Sequence, residues 1–156
     1  MPFQRDVRAT LNEGVAGTQA SANPFSSTVK QAKDACAPGL FLWGSADGKT
    51  FSPLGAGEPD GFCIRTNTGM ITNFLAEAQM IIPLGFAATV AHDGDWFARA
   101  TTTATLKQKV FANNTTGTIA TGAAGATIAG HTETQFSVTG VAAPGTAGSA
   151  ITISKY

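Results

Sequence analysis

Charge is the first thing this sequence is short of. Charged residues make up 13% of its 156 positions, about half of the roughly 25% found in an ordinary soluble domain. A monomer normally keeps a charged coat for solubility, so a surface of Thr, Ala, Gly and Asn fits a chain that works covered by other protein. Ten basic and ten acidic side chains cancel, and neither sign forms a long run. That excludes the clustered basic face of a nucleic-acid binder. No apolar stretch approaches the roughly 20 residues of a membrane-spanning helix, so no membrane partner is expected. Met1 to Arg8 has no apolar signal-peptide core, which predicts that the chain stays in the cytoplasm where it is made. Cysteines number two. Cys36 and Cys63 could pair, but in a cytoplasmic product the expectation is two buried free thiols.

Catalytic groups are equally scarce. His92 with Asp93 and Asp95 is the one cluster that resembles chemistry, yet a metal site takes three or four protein ligands at fixed geometry, and His131 is far away in sequence. Asp93-Gly94-Asp95 reads as a tight turn between strands, because Asp and Gly tolerate the backbone angles involved. No Gly-x-Ser-x-Gly elbow is present, and neither cysteine carries a nucleophile motif. Gly55 to Gly61 imitates a phosphate loop but lacks the Lys-Ser/Thr ending, and Pro59 interrupts its donors. It reads as a connector. Nothing specifies an approach of Glu58, Asp60 and Glu77 to one another. The expectation is a non-enzyme with no cofactor and no metal.

What the chain does have is a series of short β segments separated by Gly, Asn and Asp turns, the pattern of a sandwich or barrel. Leu40-Phe41-Leu42-Trp43 is continuously apolar, as in a strand buried on both faces. Asp47-Gly48 predicts a hairpin turn into Thr50-Phe51. Strands are also expected around Phe62, Met70, Met80 to Ile82, Phe86 to Val90, Trp96 to Thr103 and Gln108 to Ala112. Two alternating segments close the series, one carrying Thr134, Phe136 and Val138 on one face, the other Ile151 and Ile153. Thr118 to Gly130 is either weak strands or a flexible loop. The aromatics Phe41, Trp43, Phe62, Phe86, Trp96, Phe97, Phe111 and Phe136 are expected in the core.

The first 37 residues differ. Val7 to Leu11 predicts one strand, followed by a polar arm to Lys33, with helical spacing of Val29, Ala32 and Cys36 suggesting a turn or two of helix over Ser27 to Cys36. The division expected is therefore an N-terminal strand and extended arm over 1–37 and an all-β domain over 38–156, a small β-barrel or jelly-roll-like sandwich. Arg5, Arg8, Lys30 and Lys33 concentrate basic charge in the arm. Phe3, Phe25 and Tyr156 put aromatic rings in the arm and at the end of the chain, where docking on a neighbour is the expectation. These seven residues are the candidate partner-binding set.

The order of the pieces resembles the tailed-phage capsid cement (decoration) proteins. The likeness runs through Val7 to Leu11, Val15-Ala16-Gly17, Ala20 to Pro24, Gly39 to Trp43 and Gly61 to Arg65. It continues through Ile82-Pro83-Leu84-Gly85, Gly94 to Phe97, Gln108 to Ala112, Gly117-Thr118-Ile119 and Thr134 to Val138. One departure is Lys107-Gln108-Lys109, where the resemblance predicts a glycine before the strand. It implies a β-barrel or jelly roll that binds the outside of an icosahedral head and bridges subunits of the major capsid protein as a dimer or trimer. It implies neither catalysis nor a cofactor, and it places the chain on the virion after synthesis in the host bacterial cytoplasm. The competing expectation is a carbohydrate- or receptor-binding module of a phage tail, resting on a ring-lined groove around Trp43 or Trp96.

Overall fold

The computed structural model describes residues 14–66, 70–71 and 80–156. The strand expected at Val7 to Leu11 and the turn at Asn67 to Gly69 lie outside them. Every element among the described residues is a strand. In chain order these are β1 (Ser27–Ala32), β2 (Phe41–Gly44), β3 (Thr50–Ser52), β4 (Gly61–Cys63), β5 (Met70–Ile71), β6 (Met80–Ile81) and β7 (Ala87–Ala91). There follow β8 (Gly94–Arg99), β9 (Lys109–Asn113), β10 (Ile119–Gly122), β11 (His131–Val141) and β12 (Ala150–Lys155). The first group closes a five-stranded barrel in the order β1-β3-β2-β4-β7, while β5 and β6 form a small two-stranded sheet. The second group forms a five-stranded sheet in the order β10-β9-β11-β12-β8.

The continuous apolar run in β2 has a direct cause. Alternate side chains of a strand point to opposite faces, and here both faces are buried. Phe41 and Trp43 pack into a core shared with Trp96, Phe136 and Ile151 of the second sheet. Leu42, between them, faces the barrel interior with Phe51, Cys63 and Val90. The same division occurs in β4, where Phe62 faces the second sheet and Cys63 the barrel, and in β7, where Ala91 and Val90 do likewise. Strands β2, β4 and β7 are thus a common wall between two apolar cores. Phe41 meets Phe62 and Phe136 edge-on with centroids 5.5 Å apart in each pair, the geometry aromatic quadrupoles favour.

The five-stranded sheet has both edges occupied. Residues 17–20 run along β8, with Gly17 N–H donating to Phe97 O and Phe97 N–H to Thr18 O, both at 2.9 Å. Beyond β8 the chain bends so that Ala100 bridges Ile119 of β10, and Thr101 N–H donates to Ile119 O at 2.7 Å. This closes the far edge. At Gly117 a backbone φ of +69° meets the lack of a side chain: a Cβ there would sit 2.3 Å from the Phe41 carbonyl oxygen.

Three expectations change. Ser27 to Ala32 is a strand, pairing antiparallel with β7 from Ser27↔Ala91 to Gln31↔Ala87 and parallel with β3; its exposed residues Ser27, Val29 and Gln31 follow period 2, and helical spacing of Val29, Ala32 and Cys36 is incidental. It follows that residue 37 does not divide arm from barrel, because β1 precedes it. Phe86 is 47% exposed, because it stands just before β7 in the turn at the barrel's end rather than on the strand's inner face. The Thr118 to Gly130 stretch is both expected things in part, with β10 over its first residues and turns after it. The hairpin turn at Asp47-Gly48 is present, with Gly48 N–H donating to Ser45 O at 2.9 Å.

Candidate interaction surface

The His92-Asp93-Gly94-Asp95 turn carries the chain from β7 of the barrel to β8 of the second sheet. Its polar groups are all engaged within the fold. His92 sits between the Thr28 hydroxyl, 2.7 Å from Nε2, and the Asp60 carbonyl oxygen, 2.9 Å from Nδ1. Asp93 accepts from the Ser26 backbone N–H at 2.5 Å and from the Ser26 hydroxyl at 2.7 Å. Those bonds, the backbone one first, lower the Asp93 pKa from its ordinary value. The cluster thus reads as a structural turn, and no group of three or more metal-ligating side chains occurs among the described residues.

Asp95 does more than turn the chain. Its buried carboxylate accepts from Ser21 Oγ at 2.5 Å and Asn23 Nδ2 at 2.8 Å, and from the hydroxyls of Ser154 and Tyr156. Burial by itself would raise its pKa, but the donors outweigh burial, Ser154 foremost and then Ser21, Tyr156 and Asn23, and lower it to about 2. One carboxylate therefore ties the N-terminal segment and the last residue of the chain to the start of β8. The sequence shows Asp95 only as a turn residue. Its partners are separated from it by 59 to 74 positions, and no local pattern announces them.

The candidate partner-binding residues separate into groups. Phe3, Arg5 and Arg8 lie outside the described residues. Phe25 rests edge-on against Trp96, centroids 4.8 Å apart, with part of its ring exposed. Tyr156 anchors its hydroxyl on Asp95 and Asn23 while its ring stands in solvent. Both rings are thus fixed at the start of β8, Phe25 on Trp96 and Tyr156 through Asp95. Lys30 and Lys33 belong instead to the barrel. Lys30 lies 3.9 Å from Asp60 and 4.5 Å from the centre of the Phe51 ring, while Lys33 is exposed one residue past β1.

A set of exposed apolar side chains was not legible as a surface. Val29 on β1 is 59% exposed and Leu84, in the turn before β7, 68%. That turn is held by Phe86 N–H to Pro83 O at 3.1 Å and docks on β1 through Gly85 N–H to Ala32 O at 2.8 Å. Leu84 and Phe86 are therefore presented at the end of β1 beside Lys33, on a turn tied to the barrel. Pro83 and Gly85 mark the turn in sequence, but nothing local tells a buried Phe86 from an exposed one. Trp43 and Trp96, on which the sugar-binding expectation depends, are 6% and 2% exposed. Their indole N–H groups donate inward, to Gly57 O and Asp93 O, both at 2.9 Å, so neither ring forms a platform. A shallow cleft of about 300 Å³ lies between the sheets, lined by Ala16, Pro38, Leu40, Arg99 and Ile119 among others. It is walled mainly by apolar and backbone atoms.

Comparison with known proteins adds three findings. The family model described as XM1 gp53 minor capsid protein matches residues 5–155. No curated protein matches. A chain from the structure of the capsid of Myoviridae phage XM1 is similar in fold, with a TM-score of 0.65 at 18% identity, covering 99% of this chain and 97% of that one.

Proposed function

This chain belongs to the XM1 gp53 minor capsid protein family, and from that premise we propose that it is a cement protein. In this reading it binds the outer surface of a tailed-phage head and holds neighbouring major capsid protein subunits together. The observation that carries the proposal is the family match over nearly the whole chain. The exposed apolar turn on the rigid barrel supports it. Leu84 and Phe86 offer the kind of anchors that dominate interface energetics when they enter a partner's pocket, and Val29 adds exposed apolar surface on β1. A lightly charged surface lowers the desolvation cost of such contacts. Several modest attachments, including those of Phe25, Lys33 and Tyr156 and of Phe3, Arg5 and Arg8, add through effective concentration. Self-association as a dimer or trimer would multiply them again.

The test is decoration of heads purified from a phage lacking this protein. The double variant Leu84→Asp/Phe86→Asp should fold with an unchanged melting temperature and bind heads at least about tenfold more weakly, one lost anchor being worth roughly 1–2 kcal/mol or more. Equal decoration by the variant removes this turn from the interface. Absence of the protein from purified virions removes the cement role altogether.

A further inference from the structure

Two thiols share the barrel interior. Cys36 and Cys63 are both buried and free, and both belong to the core cluster that includes Leu42, Phe51 and Val90. Cys63 is the last residue of β4. Cys36 lies on the connector from β1 to β2, pinned by paired hydrogen bonds with Ile82 of 3.1 and 2.7 Å. The same connector is laced to β4 a few residues on, through Gly39 N–H to Cys63 O and Cys63 N–H to Leu40 O, both 2.8 Å. The backbone thus holds both residues in one apolar core, and each thiol is the other's strongest electrostatic influence, through a side-chain hydrogen bond. That bond lowers the Cys36 pKa, while the Cys36 partner and then burial push Cys63 up. Cys36 is 4% exposed and Cys63 is fully buried.

We propose that Cys36 and Cys63 form an internal disulfide site, reduced when the chain is made and closed by a peroxide, which staples the β1–β2 connector to β4. The chemistry balances with hydrogen peroxide as oxidant. The Cys36 thiolate attacks one peroxide oxygen, the O–O bond breaks, and hydroxide leaves, giving a sulfenic acid. The Cys63 sulfur then attacks the Cys36 sulfur; the S–O bond breaks, and the hydroxyl departs with the Cys63 proton as water. Two thiols lose two electrons, and one peroxide becomes two waters. Because the second thiol lies in the same buried cluster as the first, capture should outrun further oxidation.

The experiment uses the reduced full-length protein, treated with equimolar hydrogen peroxide in native buffer, then unfolded, blocked with iodoacetamide and digested with trypsin. The expected result is a peptide spanning 34–49 joined to one spanning 50–65, a species lost on reduction. The melting temperature of the oxidised protein should rise by roughly 5–10 °C. A Cys63→Ser variant should instead accumulate sulfinic or sulfonic acid on Cys36; should that variant not fold, the wild-type peptide map decides alone. Recovery of both peptides unlinked, or a link between two chains seen as a dimer on a non-reducing gel, overturns the site. A linked protein that melts no higher than the reduced one overturns the staple.

Discussion

Asp95 shows how much one side chain can fasten. Four donors from two distant parts of the chain converge on it, and they lower its pKa from 3.8 to about 2. A carboxylate with a lowered folded-state pKa adds stability that is complete above the unfolded value and is lost as pH falls through the folded one. Here that window runs from about pH 4 down to about pH 2, and the shift is worth about 2 kcal/mol. Urea midpoints taken from pH 6 to pH 2 should fall across it, with Asp93 contributing in the same direction. An Asp95→Asn variant should start lower at pH 6 and show a flatter profile. An unchanged profile would mean that the carboxylate is not the fastening.

Lys107 carries the opposite kind of term. It is the one non-glycine with a positive φ among the described residues, at +68°, and it occupies the turn where the family resemblance predicts glycine. The left-handed conformation costs an L-residue roughly 1–2 kcal/mol, and glycine brings its own entropic penalty of roughly 0.5–1 kcal/mol. Lys107→Gly should therefore stabilise the fold by roughly 0.5 kcal/mol, a rise of about 1–2 °C in melting temperature.

Among the elements, β2 is the most constrained. Its Phe41 and Trp43 serve one core and its Leu42 the other, and Phe41 N–H donates to Gly117 O at 2.8 Å. Phe41→Ala should cost about 3–5 kcal/mol and lower the barrel and the second sheet together, giving a single coincident transition by tryptophan fluorescence and far-UV circular dichroism. Gly117→Ala, with its Cβ driven against the Phe41 carbonyl and a left-handed φ, should cost at least about 2 kcal/mol by urea denaturation.

The strands were largely legible at this scale. Period-2 alternation at Thr134, Phe136 and Val138 and the unbroken run at Phe41 to Trp43 report burial directly, on one face or on two. Where reading failed, the cause lies beyond the local window. Ser27 to Ala32 gains its strand state from β7 and β3, which follow it in the chain and supply its hydrogen bonds. Phe86 lies in phase with Ala88 and Val90, but it stands past the end of the barrel, a fact of closure that no periodicity contains. The contacts of Asp95 and the packing of Phe25 on Trp96 are tertiary for the same reason.

For the whole molecule, the position of β1 sets how the arm can be tested. A truncation reaching Lys33 removes a barrel strand and unfolds the protein, whatever the arm contributes to binding. Removal of residues 1–13 spares every hydrogen bond described above. The melting temperature of that shorter chain is the control for its fold. Weaker decoration by it would assign Phe3, Arg5 and Arg8 to the interface, and unchanged decoration would exclude them.

The occupied flanks of the five-stranded sheet have a further consequence. An open row of backbone amides is a template on which a second chain can polymerise, and in this sheet residues 17–20 cover part of β8 and residues 100–102 part of β10. Copies of the molecule are thereby hindered from lengthening this sheet edge to edge, and contacts made at its flanks fall to side chains and turns.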